Sequence, residues 1–224
     1  FTANWDAIPG ATNYRLDVYT IDVVPTTDLI ISEYVEGSSS NKYIEIYNGT
    51  GATVDLSDYR LRLYVNGNGF TSNDIQLSGN LASGSTIVYS NASATVYGGA
   101  TTSNAAVNYS GDDAVVLYKI STTSNIDIIG RIGEDPGSAW TGAGGYSTGE
   151  KTLVRKATVS GGVTTNPGSG FPTLTTEWDL YNQDVVTNLG SHTYSAVGAN
   201  FLPGYEDFGA GTDTTHTITG LTSG

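Results

Sequence analysis

Two glutamates pose the first chemical question in this sequence. In "ISEYVEGSSSNKYIEIY" the turn-forming cluster "GSSSN" joins two runs of apolar alternation, and closing them as a hairpin sets Glu33 opposite Glu45 on one face. Like charges directly across a ladder destabilise it unless a cation lies between them. Arg155 or Lys42 can provide that cation as an internal ion pair, with Arg155 the first choice. A bound calcium ion, which takes oxygen ligands, is the alternative. The acidic turns "GDD" at 111 to 113 and "GED" at 133 to 135 offer further oxygens, although neither follows the ligand spacing of an EF-hand loop.

Other residues invite nucleophilic or metal chemistry. "GYSTG" at 145 to 149 fits the G-x-S-x-G pattern of a nucleophile elbow, which needs a strand before it, a helix after it, and His and acid partners. Here a glycine-rich stretch precedes Ser147 and the strand pattern "KTLVRK" follows. No catalytic residue is therefore assigned, and no turnover of ester, phosphoester, glycoside or nucleic acid is expected. His192 and His216 are the only histidines and have no metal-binding spacing, so both read as surface or interface residues. Cysteine is absent, which removes thiol nucleophiles, disulfides and zinc thiolates. Asn48, Asn91 and Asn108 head N-x-S/T sequons, and Thr214 lies in "DTT", which resembles an O-glycosylation site; these four are glycosylation candidates. Fifteen tyrosines and three tryptophans could stack on sugars, but alternating tyrosines on strands more often cover a sandwich face.

The elements that carry these residues are strands. "KYIEIYN" puts Ile44 and Ile46 on one face and Tyr43, Glu45 and Tyr47 on the other, and "RLRLYV" sets Leu61, Leu63 and Val65 against Arg60 and Arg62. "NYRLDVYT", "STIVYS", "DAVVLYKI", "NIDIIGRI" and "KTLVRK" continue the series, separated by turn clusters such as "YNGTG", "VNGNG" and "SGDD". An all-β sandwich is predicted. With 38% hydrophobic residues, 224 residues suffice for a sizeable core. The formal charge of −13 opposes contact with phosphate backbones and anionic lipid, and no apolar run approaches the roughly 20 residues of a spanning helix. Neither nucleic acid nor membrane insertion is expected.

An ordered series of motifs carries a family resemblance. "DLIISEYVEGSSSNKYIEIYNGTGATVDLSDYRLRLYV", "IQLSGNLASGSTIVYSN", "YSGDDAVVLYK", "NIDIIGRIGEDPGSAW", "KTLVRK" and "EWDLYNQDVVTNLGSHT" together resemble the bacterial lamin-tail domain over residues 28 to 193. The resemblance implies an immunoglobulin-like sandwich without catalytic residues, an accessory module of secreted and surface proteins that sometimes stands beside extracellular nuclease or phosphatase domains. Nuclear lamin tails are associated with DNA contacts, for which the charge of this chain provides no electrostatic basis.

The ends resemble a second family. "FTANWDAIPGATNYRLDVYT" and "FLPGYEDFGAGTDTTHTITGLTSG" are similar to parts of a fibronectin type III-like module, with Trp5 in its core position. The expected organisation is a lamin-tail-like domain at 28–193 inserted into that module, whose first part is 1–27 and second part 194–224. About four of its seven strands are visible, so the rest are expected from outside these residues, from flanking domains or from a neighbouring copy in a head-to-tail assembly. Trp5, Leu16 and Leu221 are the assembly-edge candidates. The function expected is a non-catalytic structural or adhesive module of a large secreted or cell-surface bacterial protein, filament-forming; the alternative is an accessory module that binds a glycan or another polymer beside a secreted hydrolase.

Overall fold

Period-two alternation becomes strand almost wherever it occurs. The computed structural model describes residues 1 to 221, and among them twenty strands follow in chain order. They are β1 (Thr2–Asn4), β2 (Tyr14–Leu16), β3 (Tyr19–Val23), β4 (Ile30–Glu36), β5 (Lys42–Tyr47), β6 (Val54–Asp55), β7 (Tyr59–Tyr64), β8 (Asn73–Gln76), β9 (Asn80–Leu81) and β10 (Thr86–Ser90). The rest are β11 (Thr102–Ser103), β12 (Ala114–Lys119), β13 (Ser124–Ile129), β14 (Thr141–Gly142), β15 (Tyr146–Ser147), β16 (Lys151–Arg155), β17 (Trp178–Asn182), β18 (Val197–Phe201), β19 (Phe208–Gly211) and β20 (Thr215–Thr217). The described residues form no helix long and apolar enough to cross a membrane.

The chain divides into two units, Pro25–Ala196 and the pair of segments Phe1–Val24 and Val197–Gly224. In the first, a six-stranded sheet of order β11-β10-β5-β4-β16-β17 faces a four-stranded sheet of order β13-β12-β7-β8. Ile31, Tyr34, Ile44, Ile46 and Leu153 of the larger sheet share one core with Leu61, Leu63, Val115, Leu117 and Ile129 of the smaller, so the alternating apolar positions point inward from both. The opposite positions are used as well. Arg60 and Arg62 leave the core and share Asp74, with Nε to Oδ1 distances of 2.5 and 3.2 Å, while the Arg62 guanidinium lies 3.4 Å from the centre of the Tyr118 ring. Trp140 closes one end, its indole donating to the Asp113 carbonyl at 3.1 Å. Gly130 has to be glycine at that point: its φ is +75°, and a Cβ would stand 2.5 Å from the Trp140 Nε1.

A buried ion pair joins the two sheets. Arg155 of β16 and Asp127 of β13 are 2% and 0% exposed, and the guanidinium Nη2 donates to Asp127 Oδ2. The same carboxylate oxygen accepts the Ile31 amide at 2.9 Å, and Asp127 Oδ1 accepts the Val163 amide at 2.9 Å. Arg155 Nε donates to the Ile31 carbonyl at 3.1 Å, Nη1 donates to Glu177 at 2.6 Å, and the guanidinium lies over the fully buried Trp178 ring at 4.1 Å. Each charge thus has hydrogen bonds and a counter-ion, the condition under which buried ions are tolerated.

The second unit is built differently. Three two-stranded antiparallel ladders, β1 with β20, β2 with β19 and β3 with β18, each have no further neighbour among the described residues. The single strand expected over "NYRLDVYT" is interrupted at Asp17 and Val18, which bond to a loop instead of a ladder. Asp17 accepts the Asp207 amide at 2.7 Å, the Val18 amide donates to the Tyr205 carbonyl and the Val18 carbonyl accepts the Leu202 amide. Trp5 and Leu16 are half-buried, Trp5 meeting Tyr14 edge-on at 5.9 Å, while Leu221 is exposed. Tyr205, Phe208 and His216 form a small aromatic cluster.

Replacing Arg155 by Ala strands the Asp127 carboxylate in the core. The expected loss is about 3–5 kcal/mol of sandwich stability, read as a lower urea midpoint. A double change of Arg155→Met with Asp127→Leu, which removes both charges but leaves the Ile31 and Val163 backbone groups without these partners, should recover only part of it; an unaltered midpoint for Arg155→Ala would show the pair to be dispensable.

Candidate functional site

A bulge creates the site. On β4 the pairing with β5 runs Ile31 to Ile46 and then Glu33 to Glu45, so two residues of β4 span one of β5 and Ser32 is the extra residue. Strict alternation would send Glu33 to the same face as Ile31. The bulge turns Glu33 outward and Tyr34 inward, where Tyr34 stacks on Tyr109 at 4.6 Å. The hairpin thereby sets Glu33 opposite Glu45 on the outer face of the six-stranded sheet, in a cross-strand row that reads Val88, Glu45, Glu33, Val154.

The row is covered. Residues 183 to 190 lie across this face, held by the Thr152 hydroxyl donating to the Val185 carbonyl at 2.9 Å and the Tyr97 hydroxyl donating to the Leu189 carbonyl at 3.1 Å. Leu189 packs with Val35, Tyr43 and Val88. Both glutamates are 1% exposed. Glu45 has partners: the Ser32 hydroxyl donates to Oε1 at 2.7 Å and the Gly190 amide to Oε2 at 2.6 Å. Neither oxygen of Glu33 has one among the described residues.

Burial, and then the neighbouring Glu45, push the Glu33 carboxyl up to about 9. Burial also raises Glu45, against the lowering effect of its hydrogen bonds from Ser32, Gly190 and Thr86. Glu33 is therefore protonated at neutral pH, and a proton rather than a side-chain cation relieves the repulsion.

Arg155 does not neutralise the pair, contrary to the sequence expectation. Register explains this: Val154 stands opposite Glu33, so Arg155, the next residue on β16, points through the other face of the sheet to Asp127. Lys42 is engaged by Glu36 and by the Gly37 carbonyl. Among the described residues no three His, Asp or Glu side chains converge to hold a metal ion. The acidic turns have local uses, Asp113 accepting the Ser110 and Asn66 amides and Glu134 pairing with Arg131.

The other candidates fall apart from one another. Ser147 exchanges hydrogen bonds with the backbone of Gly149, and no histidine or carboxylate bonds to its hydroxyl among the described residues. His216 sits on β20, and His192 lies against the Tyr47 ring at 4.9 Å with its Nε2 buried and, among the described residues, unpaired. Asn48 is no glycan acceptor in the folded chain: it is 0% exposed, and its amide donates to the Ala52 and Leu81 carbonyls at 2.8 and 2.7 Å. Asn91 is half-buried, donating to the Val107 carbonyl and to Asn108, whereas Asn108 is exposed and Thr214 half-buried. Sequence reading missed Asp127, although a lone acid in the apolar run "NIDII" was a usable signal.

Residues 23–133 match the family model described as Lamin Tail Domain, which spans β4 to β13 and ends before the strands that carry Arg155 and Trp178. Neither the curated proteins nor the solved structures include a match to this chain.

The raised Glu33 carboxyl has a definite effect on stability. Below the unfolded-state value of 4.5 both states hold the proton; between 4.5 and about 9 the folded state holds it more tightly, so stability falls as pH rises through that window. Glu33→Gln, permanently neutral, should flatten this part of the profile and gain stability over the wild type progressively towards pH 9, measured by thermal unfolding across the range. Parallel pH profiles for the two proteins would contradict the assignment.

Proposed function

We propose, for a chain that carries a lamin tail domain over residues 23–133, that it acts as a structural or adhesive module of a large secreted or cell-surface bacterial protein. The lamin tail domain is an immunoglobulin-like, non-catalytic structural module, and the sandwich core described above fits that role. The finer part of the reading concerns the unit of residues 1–24 and 197–221, which we read as the fibronectin type III-like portion and as the part that joins copies head to tail into filaments.

One observation carries the assembly reading. On the β3–β18 ladder the cross-strand pairs Tyr19–Phe201, Ile21–Ala199 and Val23–Val197 share one face, and Thr20, Asp22, Gly198 and Asn200 share the other. Tyr19, Ile21, Val23 and Val197 are 49 to 61% exposed. A two-stranded ribbon with one apolar face is marginal in water, and a third strand or a covering surface completes it. The proposed occupant is the same unit of a neighbouring copy, meeting this face with a different surface, an open ladder edge; a contact between two different patches is heterologous and propagates. The excess of acidic residues favours a protein partner over nucleic acid or an anionic membrane.

Sedimentation velocity over a concentration series tests this. The wild type should show concentration-dependent association, and the double change Ile21→Lys with Val23→Lys, which places two charges on the apolar face, should leave a monomer. A wild type that remains monomeric at the highest attainable concentration would overturn the assembly reading.

A further inference from the structure

Residues 183 to 190 form a strap over the facing carboxyl groups of Glu33 and Glu45, and one of its anchors is a carboxyl group itself. The Gly190 amide donates to Glu45 Oε2 at 2.6 Å. The Thr152 hydroxyl holds the Val185 carbonyl, the Tyr97 hydroxyl holds the Leu189 carbonyl, and Asp184 Oδ1 accepts the Ser38 amide at 2.8 Å. Asp184 does so at a φ of +58°, a left-handed conformation that costs a residue other than glycine. Leu189 supplies the apolar contact, packing on Val35, Tyr43 and Val88. The strap is neither strand nor helix, so lifting it breaks no ladder.

Among the described residues no cation faces Glu33 from the elements packed against it. β5 presents Glu45, and its Lys42 is engaged by Glu36. β16 presents Val154, while Arg155 points through the other face of the sheet to Asp127. The strap brings Asp184, and the loop before β11 brings Tyr97, whose hydroxyl is raised by burial and then by Glu45 and Glu33. Tyr109, from the core side, is raised by burial first, with Glu36 and Glu33 adding to it. His192, just beyond the strap, is neutral near neutral pH, since burial and Arg155 draw it down to about 4. An ionised Glu33 would therefore stand beside a carboxylate with neither a hydrogen bond nor a counter-ion, which the closed interior does not tolerate. Glu33 can lose its proton only where water reaches it.

We infer that the strap is a pH-sensitive lid, which opens as Glu33 gives up its proton to solvent and closes as the proton returns. Opening takes Leu189 off Val35, Tyr43 and Val88, so the outer face of the six-stranded sheet becomes more apolar as the medium turns alkaline. The closed state holds the proton up to about 9, whereas a hydrated carboxyl releases it near 4.5. Between these values each pH unit raises the open fraction about tenfold. The inference stands apart from the assembly reading, since every residue involved belongs to the unit Pro25–Ala196.

Hydrogen exchange of the amides of residues 185–190, followed by NMR from about pH 6.5 to about pH 8.5 with closing faster than exchange, tests it. Hydroxide catalysis alone speeds exchange about tenfold per pH unit; in the wild type the growing open fraction should add a second factor of about ten. Glu33→Gln, which has no such proton to lose, should return the strap to the single factor. Urea well below the unfolding midpoint should leave strap exchange unchanged while it speeds the amides of β12, which exchange through global unfolding. A wild-type strap that follows hydroxide alone, a steep profile that Glu33→Gln retains, or strap exchange that rises with urea as β12 does would overturn the inference.

Discussion

The pair of Arg155 and Asp127 determines more of this sandwich than any other contact. It takes both backbone hydrogen-bonding groups of Ile31, the amide going to the carboxylate and the carbonyl to the guanidinium. With those groups withdrawn, β16 pairs with β4 only from Glu33 to Val35. The bulge at Ser32 sits at that limit, and it determines which face Glu33 occupies. Trp178, under the guanidinium, and Glu177, beside it, place the start of β17. A charged contact between the sheets therefore acts through the backbone on the outer face.

Most of the fold was readable in the sequence because strands with one buried face repeat every second residue. Ile44 and Ile46, or Leu61 and Leu63, could hardly be assigned otherwise, and the hairpin turn "GSSSN" was enough to bring Glu33 opposite Glu45. The partner of Arg155 was not found, although "KTLVRK" itself places Arg155 on the same side as Leu153, and Leu153 is core. Asn48 failed for a different reason. A sequon is a local pattern, whereas the burial of its asparagine comes from the Leu81 carbonyl, 33 positions away.

The two units reach order by different means. The sandwich buries a continuous apolar core between two sheets and admits charge only where it is fully hydrogen-bonded, apart from Glu33, which a proton neutralises. The ladders of the other unit have small aromatic contacts and open edges, so a larger share of their order comes from backbone pairing.

The ladders are also nested. β1 pairs with β20, β2 with β19 and β3 with β18, and the innermost pair joins Val23 to Val197 on either side of the whole sandwich. Tension between the two outer flanks would open these antiparallel ladders like a zipper, one residue pair at a time and from the outside inward. Force would reach the sandwich only after the Val23–Val197 pair had parted. A pull of that kind would therefore part the ladders before it loaded the unit Pro25–Ala196.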